Sequence, residues 1–210
     1  MNKTLYVLWF SDIFILTGFG LASPILAIFI KDTIIGGTIL AAGIASAIYM
    51  GVKAVVQIPF SRYIDSHESK VKWLWVGTFL VATVPFQYLM AKNIYAIFIA
   101  QVVYGIGAGI AASAWLSLWS THLEKNHEGF EWSLYSATVG IGTGIAAFLG
   151  GLMATYFGFN ATILTMGILS VIGFLVLLHI ENETHNENNN KKVNEMEYHK
   201  HRKLVHTHHR

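Results

Sequence analysis

Apolar residues fall into six long runs, at 5–30, 38–60, 73–90, 95–119, 133–156 and 162–180, separated by short polar breaks. Each run is close to the ~20 residues that a helix needs to cross ~30 Å of hydrocarbon. The longer runs accommodate by tilting. Period-two alternation over strand-length segments does not occur, which excludes a membrane barrel. The breaks, at 31–37, 61–72, 91–94, 120–132 and 157–161, are hairpin-length connections. The pattern predicts an all-α membrane protein whose six transmembrane helices occupy residues 1–180. Residues 181–210 are polar and Asn-rich without an apolar period, which predicts a disordered tail.

Composition agrees with this class. Of 210 residues, 54% are hydrophobic and 12% charged, where a soluble domain carries about 25% charged residues. The absence of cysteine removes disulfides and thiolate metal sites. A formal charge of +2 gives no footprint for nucleic acid. The opening MNKTLYVLWF has the look of a signal peptide, but its apolar run continues to Ile30 without a small-residue cleavage site. It reads as a retained helix.

Basic residues set the expected orientation. With the N-terminus inside, the cytoplasmic segments ahead of the tail hold Lys3, Arg62, Lys70, Lys72 and Lys125, and the other side holds Lys31 and Lys92. Trp9, Trp73, Trp75, Trp115, Trp119 and Trp132 then fall near cytoplasmic helix ends, where amphipathic rings settle at headgroups. An even number of helices leaves both termini in the cytoplasm of a protein integral to the cell membrane. The tail histidines His199, His201, His206, His208 and His209 read as part of a solvated segment. No metal or cofactor is expected, since no histidine lies deep in a run and His179 stands at the end of the sixth.

Polar residues inside the runs carry the candidate chemistry. A charge at the bilayer centre costs about 2.5–3.5 kcal/mol on insertion scales, so it has a partner or a task. Asp12 lies seven residues inside Leu5 and Lys53 seven residues before Phe60 on the antiparallel neighbour. Their depths match, so the two are expected to face each other or share a polar cavity. Asp12 there either binds a cation or proton that exchanges against Lys53, or forms a static ion pair with it. Gln57, Gln101, Tyr104 and Ser113 are further candidates for the polar lining. Ser113 lies in Ala-Ala-Ser-Ala, with no deep histidine to activate it, so an intramembrane serine protease is set aside and no enzyme is expected. Gly105, Gly107, Gly109, Gly142, Gly150 and Gly151, with Ala146, form small-residue stripes that let helix backbones approach in lipid.

Several motifs carry a family resemblance. The loop stretch with Gln57, Ser61, Arg62, Asp65, Lys70 and Lys72 resembles the loop between helices two and three of the major facilitator superfamily, G-x-L-A-D-R-x-G-R-R/K. Asp65 matches its aspartate, and Lys70 and Lys72 its trailing basic positions. Ser61, Ser66 and Glu68 stand where the family has glycine, arginine and glycine. An aspartate at a helix end caps the next helix or pairs with a base, latching neighbouring helices. The first run, with Asp12, Gly18, Gly20 and Pro24, is similar to the family's first helix. The fifth, with Gly142, Ala146, Ala147, Gly150 and Gly151, is similar to the antiporter pattern G-x-x-x-G-P-x-x-G-G without its proline. In the fourth, Gln101 stands where the family often has an arginine linked to proton coupling, four residues before Gly105. A shift of 89 residues superposes Asp12 on Gln101, Gly18 on Gly107 and Gly20 on Gly109.

The resemblance covers about 175 residues and implies two three-helix repeats of inverted topology, which make half of a full carrier. It implies a secondary transporter, or transporter half, moving a small solute by alternating access, with the site between helices one and four. Coupling to a proton or other ion stays open. It also implies a dimer of six-helix halves, as a homodimer or with another half, through helices two and five. Gly142, Ala146, Gly150 and Gly151 are expected to be packed at that interface. The chain's length and its departures from the motifs support one alternative, a non-transporting scaffold or regulatory partner of a larger carrier.

Overall fold

The structure is a computed structural model that describes residues 3–67 and 69–179. The tail expected over 181–210, with its histidines, lies outside the described residues, as does Glu68. The helices run in the order α1 (Lys3–Ala22), α2 (Leu26–Thr33), α3 (Ile39–Asp65), α4 (Lys70–Met90), α5 (Ile94–His122) and α6 (Glu128–Leu177). All but α2 are long and apolar enough to cross a membrane.

One boundary differs from the apolar runs for an identifiable reason. The first run is two helices, because the chain turns through Ser23-Pro24-Ile25. Proline offers no N–H to the helix ladder and crowds the turn before it. Pro59 and Pro85 by contrast lie inside α3 and α4, as packed membrane helices allow. The fifth and sixth runs are the two limbs of α6, which is not one continuous helix: the chain reverses at Gly158, inside the expected 157–161 break. Gly158 has φ 83° and ψ 168°, a conformation that residues with a Cβ rarely adopt.

Contacts with α1 give the direction of each limb of α6. Thr17, Gly20 and Leu21 meet Gly142, Thr143 with Ala146, and Gly150, so α1 runs parallel to residues 128–157. Ser11 and Ile15 meet Gly173, and Gly18 meets Met166, so α1 is antiparallel to residues 159–177. The α5 helix has the same company. Gly105 meets Tyr49 and Val52, and Gly109 meets Lys53 and Val56, along a parallel α3. Gly107 meets Leu80 and Val81, and Gly77 meets Ala111, along an antiparallel α4.

The offset of 89 residues recurs in these contacts. Gly107 lies beside Gly77, Leu80 and Val81; Gly18 lies beside Met166, Leu169 and Ser170, each 89 residues further on. Glycine at these crossings lets backbone meet backbone, which supplies packing and weak hydrogen bonding where lipid gives no hydrophobic drive.

Two apolar cores sit at opposite ends of the bundle. One gathers Phe29, Ile30, Ala45, Tyr88, Ile97 and Met166. There the 34–38 and 91–94 connections are joined by hydrogen bonds from Ile35 N to Lys92 O at 3.2 Å and Ile94 N to Ile35 O at 3.0 Å. The other core gathers Leu5, Leu8, Ile64, Leu118, Trp119 and Leu177, with Trp9, Trp73 and Trp75 packed on it. The tryptophans do collect at one end. Trp115 and Trp119, however, are buried in protein and stacked at 4.8 Å, so they fill the core instead of lying at the headgroups.

Candidate functional site

Between the two cores lie two cavities. The first, of about 330 Å³, is a half-open cavity bordered by α1, α3, α4, α5 and the first limb of α6. Asp12, Lys53, Gln57, Thr78, Trp115 and Tyr135 line it. Lys53 and Gln57 are one turn apart on α3, which puts them on one face. The Asp12 carboxylate Oδ2 accepts a 2.7 Å hydrogen bond from the Tyr135 hydroxyl, a length typical of a charge-assisted bond. Asp12 and Lys53 share the cavity but are not an ion pair with each other. One carboxylate and one ammonium therefore line the same cavity without forming an ion pair.

Tyr135 was not among the residues singled out from sequence. It stands two residues inside the fifth run, where a lone tyrosine gives no periodic signal. Its role depends on the parallel packing of α1 against residues 128–157.

The second cavity, of about 570 Å³, lies towards the Tyr88 end. Tyr88, Gln101, Ser46, Ser23 and Thr143 supply its polar lining. Gln101 therefore lies in a different cavity from Asp12, while Tyr104 lines both. The Tyr104 ring sits between two others. Phe19 of α1 stacks on it at 4.7 Å and Tyr49 of α3 at 4.0 Å, with planes within 21° and 18° of parallel. All three rings border both cavities, so the stack is the partition between them.

Ser113 does not line either cavity. Its hydroxyl is 2.9 Å from Gly109 O and 3.1 Å from Gln57 O, donating to one at a time, and accepts from Ser61 at 3.0 Å. It joins α3 to α5 at the close crossing that Gly109 permits.

The charged loop is shorter than the polar break. Helix α3 continues through Ser61, Arg62 and Asp65, and α4 starts at Lys70. Asp65 does not cap α4, and among the described residues it pairs with no base. Its Oδ1 accepts from Ser117 Oγ at 2.9 Å, which ties the ends of α3 and α5. Arg62 and Lys72 are exposed and Lys70 is half-buried.

The small residues expected at an interface are mostly occupied within the chain. Ala146 and Gly150 are buried against Gly20 and Leu21, and Gly142 faces Thr17. A side chain at Gly150 would meet the Leu21 backbone. Gly151 is open, as are Gly140 and Gly144 on the same limb and Gly43 and Gly51 on α3. Exposed Ile44, Met50, Val55, Ile141 and Phe148 lie on these same two elements. Among the described residues, no group of three or more His, Asp or Glu side chains is placed to hold a metal.

Comparison with known proteins gives a consistent answer. The family model described as Major Facilitator Superfamily matches residues 8–207. An uncharacterized MFS-type transporter of Methanocaldococcus jannaschii is 22% identical over 192 residues, covering 91% of this chain and 49% of that protein. Quinolone resistance protein NorA of Staphylococcus aureus is 24% identical over 186 residues, 85% of this chain and 46% of NorA. The chain thus spans about half the length of the curated relatives it matches. A crystal structure of peptide transporter POT in complex with alafosfalin superposes with a TM-score of 0.76 at 14% identity, over 87% of this chain and 39% of that one, which shows a shared fold. The helices long enough to cross a membrane make the protein integral to one, and a match over nearly its whole length settles the family: the chain belongs to the Major Facilitator Superfamily.

Proposed function

We propose that this chain is one half of a secondary transporter that moves a small cationic or polar solute by alternating access. The observation that carries this reading is the shared cavity of Asp12 and Lys53. A carboxylate and an ammonium lining one cavity without forming an ion pair leave room for a cationic group beside Asp12. In that reading Tyr135 orients the carboxylate, Gln57 and Thr78 offer hydrogen bonds, and Trp115 and Leu74 pack the solute's apolar part. The descriptions of NorA and POT, which name quinolone resistance and peptide transport, support a small-molecule cargo.

The Trp119 end is assigned to the cytoplasm, on the basic residues Arg62, Lys70, Lys72 and Lys125, and the membrane is the cell membrane. The open face of α3 and residues 128–157 receives a second six-helix unit. The support is its exposed apolar residues, its unfilled glycines and the doubled length of the relatives. A second copy of this chain, related by a two-fold axis along the membrane normal, is the occupant proposed.

Uptake into proteoliposomes tests the function directly. A panel of cationic and neutral organic solutes, with and without a pH gradient, is expected to reveal transport of a cation. Lys53→Met changes its rate without unfolding the protein. Transport unchanged in a folded Lys53→Met would remove Lys53 from the account of the site. For the second copy, single cysteines at Gly51 or Gly144 of this cysteine-free chain should form symmetric disulfides, with Val76 on α4 as a control. A protein that stays monomeric in bilayers and still transports would overturn the dimer, and cross-linking only to a different chain would assign a heterodimer.

A further inference from the structure

The cavity beyond the aromatic stack has no task in the reading above. Two of its lining groups are buried and unpartnered. Gln101 is 2% exposed, with no hydrogen-bond partner for Oε1, and Tyr88 is 1% exposed, with none for its hydroxyl. Native structures rarely leave such groups unmet, and each exception asks for an explanation. One polar end of the Gln101 amide thus lacks a partner. Among the described residues, no charged side chain lines this cavity. At about 570 Å³ it falls within the range of small-molecule sites.

The repeat gives this difference a frame. Gln101 follows Asp12 by 89 residues, and Thr143 and Ala147 follow Lys53 and Gln57 by 90. Asp12, Lys53 and Gln57 line the first cavity; Gln101, Thr143 and Ala147 line the second. The same crossing of helices thus builds two chambers, one with a carboxylate and an ammonium, the other with an amide, a hydroxyl and a methyl group.

We propose that the second cavity is an uncharged binding compartment for a neutral hydrogen-bonding group, an amide or hydroxyl carried on an aromatic or aliphatic body. Gln101 and Tyr88 supply the hydrogen bonds, and the rings of Phe19 and Tyr49 supply packing. The compartment deepens the transport reading and rests on it: the solute occupies the two chambers in turn, and the Phe19–Tyr104–Tyr49 stack must part between them.

Protection from thiol labelling tests the two chambers separately. The chain has no cysteine, so Ser46→Cys reports on the neutral chamber and Ala112→Cys on the charged one. Benzamide and benzylammonium serve as probes on the purified full chain in nanodiscs, with a small maleimide as the label. Benzamide is expected to slow labelling at position 46 and not at position 112. Gln101→Leu and Tyr88→Phe should each raise the half-protecting concentration about two- to tenfold, the worth of one net hydrogen bond. Tyr88→Phe removes a single oxygen and keeps the test open if Gln101→Leu does not fold; unchanged elution on gel filtration reports folding. Failure of benzamide to protect position 46, or protection unchanged in Tyr88→Phe, would overturn the compartment. Benzylammonium protection at position 112 that is lost in Asp12→Asn supports the charged chamber. Its absence, with benzamide protection intact, overturns the role given to Asp12 and supports the neutral compartment by itself.

Discussion

Gly18 of α1 and Gly107 of α5 occupy equivalent crossings, yet α5 is held more tightly. A methyl group added at Gly107 would stand 2.8 Å from Leu80 Cβ and 2.9 Å from Gly77 O, whereas at Gly18 the nearest atoms are 3.1 Å away. The polar residues diverge further, with Asp12 and Lys53 around one crossing and Gln101 and Thr143 around the other. Packing is held in common by the two regions while the chemistry is not. Backbone-to-backbone crossings constrain residue size at a few positions, and side chains pointing into the cavities remain free to vary in charge.

The largest expected effect concerns the crossings. Gly107→Ala should destabilise by up to about 3 kcal/mol through overpacking against backbone. At Gly18 the milder clash is largely offset by a helix-propensity gain of ~1 kcal/mol. Thermal unfolding of the two variants in detergent checks this, and equal losses would show that the crossings are equally tight.

Asp12 and Tyr135 sharpen the chemical half of the contrast. A double-mutant cycle of Asp12→Ala and Tyr135→Phe should give a coupling of about 1.5–3 kcal/mol, the worth of a hydrogen bond to a charged group. The same cycle on Gln101 and Thr143 should give almost none, because no hydrogen bond joins those side chains. Thermal unfolding of the four single and two double variants reads both couplings.

Smaller effects lie at the periphery. Ser117→Ala removes the bond to Asp65 at an exposed helix end and should cost at most about 1 kcal/mol, measured by the same unfolding assay. Gly144→Ala, in open space on the first limb of α6, should stabilise an isolated chain by about 0.5–1 kcal/mol. Loss of the cross-linked species in that variant would show that the position lies in the packed interface.

Much of the fold was legible because lipid imposes a length on every apolar run. The glycine offset was legible too, because close crossings admit few residue types. The turn at Pro24 was harder to place, since Pro59 and Pro85 sit in helices that continue. Matching the depths of Asp12 and Lys53 drew attention to both, but depth along a helix axis carries no azimuth. It could not show that Tyr135 would be the hydrogen-bond partner of Asp12, or that Ser113 would turn towards Gln57 and away from the cavities. Nor could tryptophan position near a helix end distinguish headgroup from core, because Trp115 and Trp119 meet partners supplied by α6. Each of these depends on which helix faces rotate together, and that is settled by tertiary packing.

The most direct measurement is transport by wild type and Asp12→Asn in proteoliposomes, for a cationic solute that the wild type moves. Removing the charge while keeping the side chain's shape should lower the rate about tenfold or more, the equivalent of one hydrogen bond to a charged group. Gel filtration and unfolding should show the variant still folded. Undiminished transport by folded Asp12→Asn, or a wild type inert across the whole panel, would contradict the account.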